Sequence, residues 1–242
     1  MRLDVALLPE LLDREALPRS TVLVVDVLRA STTMTTALAS GCLGIVPVAD
    51  AAEARRRARA LGAGALVAGE RKGRMIEGFD LGNSPLEMTS ARVGGKTLVF
   101  TTSNGTGALL AARTAAAVGV GALVNLSAAA GWAHAGGRDV TVVCAGEQGR
   151  VSLEDHVCAG LLVEAVRRLE PGARLTEAAE GAFDLGRGYG KAVGRLAQDS
   201  SWGRSLAEAG RAADLEACLV LDTTTLVPVY RPDVDKVVAG SR

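Results

Sequence analysis

The chain has 242 residues, 48% of them apolar, with 27 Lys plus Arg against 27 Asp plus Glu. That suffices for one large α/β domain or two small lobes without disulfides or a structural metal, and formal neutrality argues against a general nucleic-acid binder. Two Trp, two Tyr and three Phe are too few for base-stacking platforms.

Residues 3–8 read as a first strand, and residues 21–27 form a β-branched run typical of a strand buried on both faces. A helix over residues 31–39 ends at Gly41, and residues 43–48 make another strand. Asp50 caps an Ala- and Arg-rich helix that Gly62 closes. After a short strand at 65–68, residues 69–84 read as a long glycine-punctuated loop. Ser84-Pro85-Leu86-Glu87 is a capping box with proline at the first helical position. Next come a strand at 97–100, a helix at 106–117, a strand at 122–126, a helix at 127–134 and a strand at 139–144. Ser152 and Asp155 form a second capping-box-like pair, opening a helix with Leu153, Val157, Leu161, Ala165 and Leu169 on one face.

This alternation predicts an α/β fold with a mixed, largely parallel sheet. After Pro171-Gly172 the pattern weakens into short helical pieces, then a strand or strand pair between Cys218 and Tyr230. The expectation is a single domain over 1–242, with two lobes broken near residue 170 as the alternative and the last quarter as a lid or second lobe. Cys42, Cys144, Cys158 and Cys218 form no CxxC pair, and Asp4, Glu10 and Asp13 interrupt the first apolar segment as a secretory signal. No apolar run approaches the roughly 18 residues of a membrane span. A cytoplasmic protein with reduced thiols and no membrane or nucleic-acid partner follows. A homo-oligomer is compatible with the sequence.

Three stretches share the layout of apolar run, polar loop and helix: residues 22–33, 97–106 and 140–155. In an open α/β sheet the carboxyl ends of the strands share one edge, and ligands settle there. Asp26 ends an apolar run, where an acid needs a partner or a metal. Arg29 follows, and Ser31, Thr32 and Thr33 open a helix whose N–H groups would suit an oxyanion. The structural alternative pairs Asp26 with Arg29 and makes the hydroxyls simple caps. In the 69–84 loop, Glu70 and Asp80 could ligate a metal, while Arg71, Lys72 and Arg74 could meet an anionic substrate; a solvated loop explains the charges equally well.

The segment TTSNGT (101–106) offers Thr102, Asn104, Gly105 and neighbours as a phosphate cradle, without the lysine of a P-loop. Glu147, Glu154 and Asp155 are oxygen ligands suited to magnesium. Cys144 to Arg150 also fits C-x5-R, the spacing of cysteine-dependent phosphatases, against the commoner reading of a buried thiol. His134 and His156 have no partner motif for zinc or a serine triad and read as structural.

The segments DVLRASTT (26–33), GERKGRMIEGFDLGNSPLE (69–87), TTSNGT (101–106) and CAGEQGRVSLED (144–155) together resemble the 2-phosphosulfolactate phosphatase (ComB-like) family. Asn125 and the late DLEACLVLDTTTLVPVY (214–230) also fall where that pattern leads one to expect them, so the likeness spans nearly the whole chain. It departs from the pattern at Gly107 and Trp202. The resemblance implies a layered α/β/α, ComB-like fold. It also implies magnesium-dependent hydrolysis of (R)-2-phospho-3-sulfolactate to 3-sulfolactate and phosphate, a step of coenzyme M biosynthesis.

On this reading Asp26, Arg29 and Glu147 serve catalysis. Ser31, Thr32, Arg71, Thr102, Asn104 and Gly105 bind substrate, and Asp26, Glu70, Glu147 and Asp155 hold magnesium. The alternatives are a phosphatase of another small anionic phosphate ester, a cysteine phosphatase through Cys144, and a non-catalytic phosphometabolite-binding protein.

Overall fold

Residues 1–240 are described by the computed structural model; Ser241 and Arg242, the end of the expected 1–242 domain, lie outside the described residues. The chain opens with β1 (Arg2–Ala6), β2 (Ser20–Val25), α1 (Ala30–Ala39), β3 (Gly44–Pro47), α2 (Ala51–Leu61), β4 (Ala65–Arg71) and β5 (Arg74–Met75). It continues with α3 (Ser90–Val93), β6 (Thr97–Thr101), α4 (Gly105–Ala112), β7 (Ala117–Gly121), α5 (Leu126–Ala135), β8 (Asp139–Cys144) and α6 (Leu153–Leu169). The last part holds β9 (Arg174–Leu175), α7 (Glu177–Tyr189), α8 (Leu196–Asp199), α9 (Ser201–Glu208), α10 (Ala212–Cys218), β10 (Pro228–Arg231) and β11 (Lys236–Ala239).

All the strands join one sheet in the order β5-β4-β6-β3-β11-β10-β7-β2-β8-β1-β9. Two parallel blocks make it up: β4-β6-β3 on one side and β7-β2-β8-β1-β9 on the other. Between them sits the β10–β11 hairpin, and the steps β3–β11, β11–β10 and β10–β7 are all antiparallel. Three reversals leave the two blocks running in opposite directions. This corrects the expectation of a single shared carboxyl edge. The loops leaving both blocks still reach one cavity, because α1 and α4 pack together on the same face.

The layering follows from the alternation of side chains along each strand. In β2, Val22 and Val24 join Met34 of α1 and Leu109 of α4 in a core that also takes Ile45, Leu98 and Phe100 from the other block. Leu23 and Val25 face the opposite way, toward Ala129 of α5, Leu162 of α6 and Ala182 of α7. On that second face, Val46 and Val99 of the other block pack under Ala54 of α2. The result is an α/β/α arrangement with a mixed, mostly parallel sheet.

Local signals placed most elements. The Asp50 carboxylate accepts from the Glu53 N–H at 2.8 Å, Ser152 Oγ accepts from the Asp155 N–H at 3.3 Å, and Gly62 ends α2 at φ +76°. The expected helix to 117 and strand at 122–126 are corrected: the strand is β7, and Leu123–Asn125 is a 3-10 turn. Alanine-rich sequence hides β7, and its Gly119 is there because a Cβ would lie 2.5 Å from the ring of Trp132 in α5. The 69–84 loop is also less irregular than expected, since β4 runs on to Arg71 and pairs with β5 across a tight turn. The late strand pair forms, but further along, as β10 and β11. Among the described residues no helix is long and apolar enough to cross a membrane.

Candidate active site

A cavity of about 430 Å³ opens where the loops after β2, β4, β6 and β8 converge. The loop after β2 is folded tightly around Asp26. Its N–H donates to Ser31 Oγ at 2.8 Å, its carbonyl accepts from the Ser31 N–H, and Oδ1 accepts from the Ala30 N–H at 3.1 Å. Oδ2 lies against Gly105, the first residue of α4, where an added Cβ would come within 2.6 Å. Glycine is therefore required for the α4 N-terminus to reach the acid. The Leu28–Arg29 peptide is cis. Arg29 is 3% exposed, and its guanidinium donates to Asp214 Oδ2 and to the Gly73 carbonyl; Ser84 Oγ donates to the other Asp214 oxygen.

The β4–β5 turn is fastened by Glu70. One carboxylate oxygen accepts from the Ser103 N–H and the other from the Gly73 N–H, both at 2.7 Å, with Ser103 Oγ at 3.2 Å. Arg71 donates to the carbonyls of Glu70 and Ala49 and to Thr101 Oγ1. Thr102 and Thr106 exchange side-chain and backbone hydrogen bonds at 3.1 Å, which fixes the turn into α4. Asn104 Oδ1 accepts from the Gln148 N–H, joining this turn to the loop after β8. In that loop Glu147 accepts from Ser201 Oγ at 3.0 Å, and Trp202 Nε1 donates to the Leu28 carbonyl at 2.9 Å. Helix α9 thereby walls one side of the cavity.

Acids dominate the electrostatics. Burial pushes the Asp26 carboxyl up to about 7; Glu70 and Glu154 add to the rise, while the Ala30 N–H and Arg29 oppose it. Burial also raises Glu154, and raises Asp155 well above the usual carboxylate range with help from Asp26 and Glu154. Such a surplus of buried negative charge is what a bound cation relieves.

Of the residues singled out from the sequence, Asp26, Arg29, Glu70, Arg71, Thr102, Asn104 and Glu147 line the cavity together. Gly105 stands behind Asp26 as a packing requirement. Ser31 and Thr32 are buried in the turn, bonded to backbone, and do not line the cavity. Asp155 is also behind it: Oδ1 accepts from the Val27 N–H at 2.8 Å and Oδ2 from the Gly146 N–H at 3.1 Å. Asp80 bonds the Val67 N–H, away from the cavity.

Cys144 is fully buried, and burial drives its thiol well above the usual range, so the nucleophile reading is corrected. The simple Asp26–Arg29 pair is likewise replaced by Arg29–Asp214. Sequence reading missed the cavity roles of Asn83, Ser103 and Trp202 and the partnership of Asp214. The Asn83 Oδ1 is buried without a partner, a signal that exists only in three dimensions.

Among the described residues no three His, Cys, Asp or Glu side chains form an all-protein metal cage. The profile of the family described as 2-phosphosulpholactate phosphatase matches residues 6–233. The chain belongs to this family. Relatives named probable 2-phosphosulfolactate phosphatase occur in Clostridium acetobutylicum, 36% identical over 95% of this chain and 97% of the relative. Another, in Deinococcus radiodurans, is 39% identical over 100% of this chain and 98% of its own. A third, in Clostridium tetani, is 33% identical over 98% and 100%. Every segment that builds the cavity falls inside the span matched to the 2-phosphosulpholactate phosphatase family.

Proposed function

We propose that this chain is a magnesium-dependent phosphoric monoester hydrolase acting on (R)-2-phospho-3-sulfolactate. The products are 3-sulfolactate and phosphate, the reaction type of coenzyme M biosynthesis. One observation carries the reading: a single cavity joins Asp26, Glu70 and Glu147 to a fixed arginine and the N-terminal turn of α4. A protein that only bound anions would gain nothing from three acids in its site.

The donor set fits magnesium, which takes oxygen ligands and commonly uses one or two carboxylates plus substrate phosphate and water. Glu147 and Asp26 would hold it, with Glu70, whose oxygens already accept from Ser103 and Gly73, alongside. Bound there, the ion would neutralise phosphate charge and lower the pKa of water.

The chain's own groups supply the rest. Arg29, immobilised by Asp214 and Gly73, and the N–H groups of Asn104 and Gly105 at the start of α4 orient phosphate oxygens; those of Thr102, Ser103 and Thr106 are already bonded within the protein. Hydrolysis breaks the ester P–O bond; water gives its hydroxyl to phosphorus, and the sulfolactate oxygen takes up a proton. Asp26, on the cavity wall, is placed to accept and return a proton through its carboxylate. The reading keeps the chain in the cytoplasm, where its four buried thiols stay reduced.

Phosphate release from synthetic phosphosulfolactate, with magnesium and again with excess EDTA, tests the proposal. Magnesium-dependent turnover that prefers phosphosulfolactate to a generic aryl phosphate is expected. Activity untouched by EDTA overturns the metal requirement, and phosphate binding without turnover of either ester leaves a binding protein.

A further inference from the structure

Arg29, Arg71 and Lys72 line the cavity alongside Asp26, Glu70 and Glu147. Arg29 is neutralised within the protein by Asp214. Arg71 is not, because its guanidinium donates only to the neutral oxygens of Glu70, Ala49 and Thr101. Lys72, the next residue, also lines the cavity, and among the described residues its ammonium has no hydrogen-bond or salt-bridge partner. Two cations with no ion pair among the described residues thus come from the end of β4 and the turn after it.

That turn is built to hold them still. Lys72 sits at φ +52°, a left-handed conformation that a residue with a side chain adopts at a cost. It is kept there by its own N–H to Ser103 Oγ at 3.2 Å and by the Gly73 N–H to Glu70 at 2.7 Å. Arg29 grips the Gly73 carbonyl at 3.1 Å, and a Cβ on Gly73 would meet Trp202 at 3.1 Å, so the turn has nowhere to retreat. A mere solvated loop needs none of these fastenings.

Resting on the phosphatase reading above, we infer that Lys72 is a specificity-determining residue. With Arg71 beside it, its ammonium takes the second acidic group of the substrate. The preferred class is then a small phosphate monoester carrying a sulfonate or carboxylate close to the ester carbon. The other walls argue for the same placement. On the phosphatase reading Asp26 and Glu147 are taken up with the metal and Glu70 with the N–H groups of Ser103 and Gly73, whereas Arg29 and the turn into α4 serve the phosphate.

Lys72→Met keeps the hydrocarbon stem and removes the charge. Its kcat/KM would be measured on phosphosulfolactate, on 2-phospholactate, which lacks the sulfonate, and on isopropyl phosphate, which lacks both acids. The preference for phosphosulfolactate over isopropyl phosphate should fall about 10- to 100-fold, through KM, and Lys72→Arg should recover part of it. Isopropyl phosphate should be unaffected; if 2-phospholactate shares the loss the carboxylate is the acid that is read, and if it is spared the sulfonate is. Equal losses on all three esters, or no loss on any, overturn the inference.

Failure of the phosphatase reading itself is distinguishable. If wild type turns over no ester, calorimetry with 3-sulfolactate and with inorganic phosphate replaces kinetics. Weaker binding of 3-sulfolactate alone by Lys72→Met then supports the inference. An unchanged affinity, or no binding of 3-sulfolactate to wild type, overturns it.

Discussion

Arg29 and Asp214 lie 185 positions apart in the chain, yet both are almost wholly buried and each satisfies the other, with Ser84 and Gly73 completing the set. Removing one member of such a pair strands a charge in the interior, which costs far more than the pair itself contributes. Asp214→Ala should therefore lower unfolding free energy by about 3–5 kcal/mol in urea titration. The double change Arg29→Met with Asp214→Leu should cost less than Asp214→Ala alone; a larger cost would show that the pair is not what the carboxylate stabilises. At this scale the sequence was legible only in part. The type of chemistry was readable, because acids, a basic residue and hydroxyls cluster after apolar runs. Their partners were not. Asp155 has the residue type of a metal ligand, and its oxygens accept from the N–H groups of Val27 and Gly146, the former 128 positions away. A backbone donor carries no signature in sequence, so such fastenings cannot be read from residue type.

Between elements, the contact that matters most is α4 against the loop after β2. An alanine at Gly105 would put its Cβ 2.6 Å from Asp26 Oδ2 and 2.7 Å from Ala30 Cβ, and neither neighbour can move without shifting α1 or the acid. Gly105→Ala should reduce kcat/KM by about 100-fold, the order expected from an ångström-scale displacement of reacting groups. Far-ultraviolet circular dichroism should stay native; a fully active variant would mean that Asp26 need not touch α4. Elements defined by short-range bonds were the ones sequence could place. Asp50 and Ser152 each cap a helix through an N–H three residues on, so the whole interaction lies within a few letters. β7 was misplaced for the converse reason. Its one alanine and two glycines have little strand preference of their own, and Gly119 packs under Trp132 in α5 and pairs with Val229.

Across the whole molecule, Asp26, Glu154 and Asp155 share one consequence. Each is raised in the folded state by burial, so between about pH 4 and pH 7 the folded chain binds more protons than the unfolded chain. Stability contributed by these groups is present at low pH and lost as pH rises through the folded values. In EDTA, unfolding free energy should fall by about 1–4 kcal/mol between pH 5 and pH 7.5. Magnesium added at the higher pH should restore part of that loss. A flat or rising profile in EDTA would mean that the acids are already compensated by the protein. The α/β class was legible at this scale because alternation is a local pattern, but the opposed polarity of the two strand blocks was not, since it depends on where a late hairpin inserts. That insertion also bears on how the protein is made. β10 and β11 follow the other described strands in the chain, yet they occupy the middle of the sheet. Until the ribosome has made them, the two blocks have no strand to join them, and each would present a bare edge. A nascent chain that stops short of this hairpin would be a pair of half-sheets at risk of pairing with other chains.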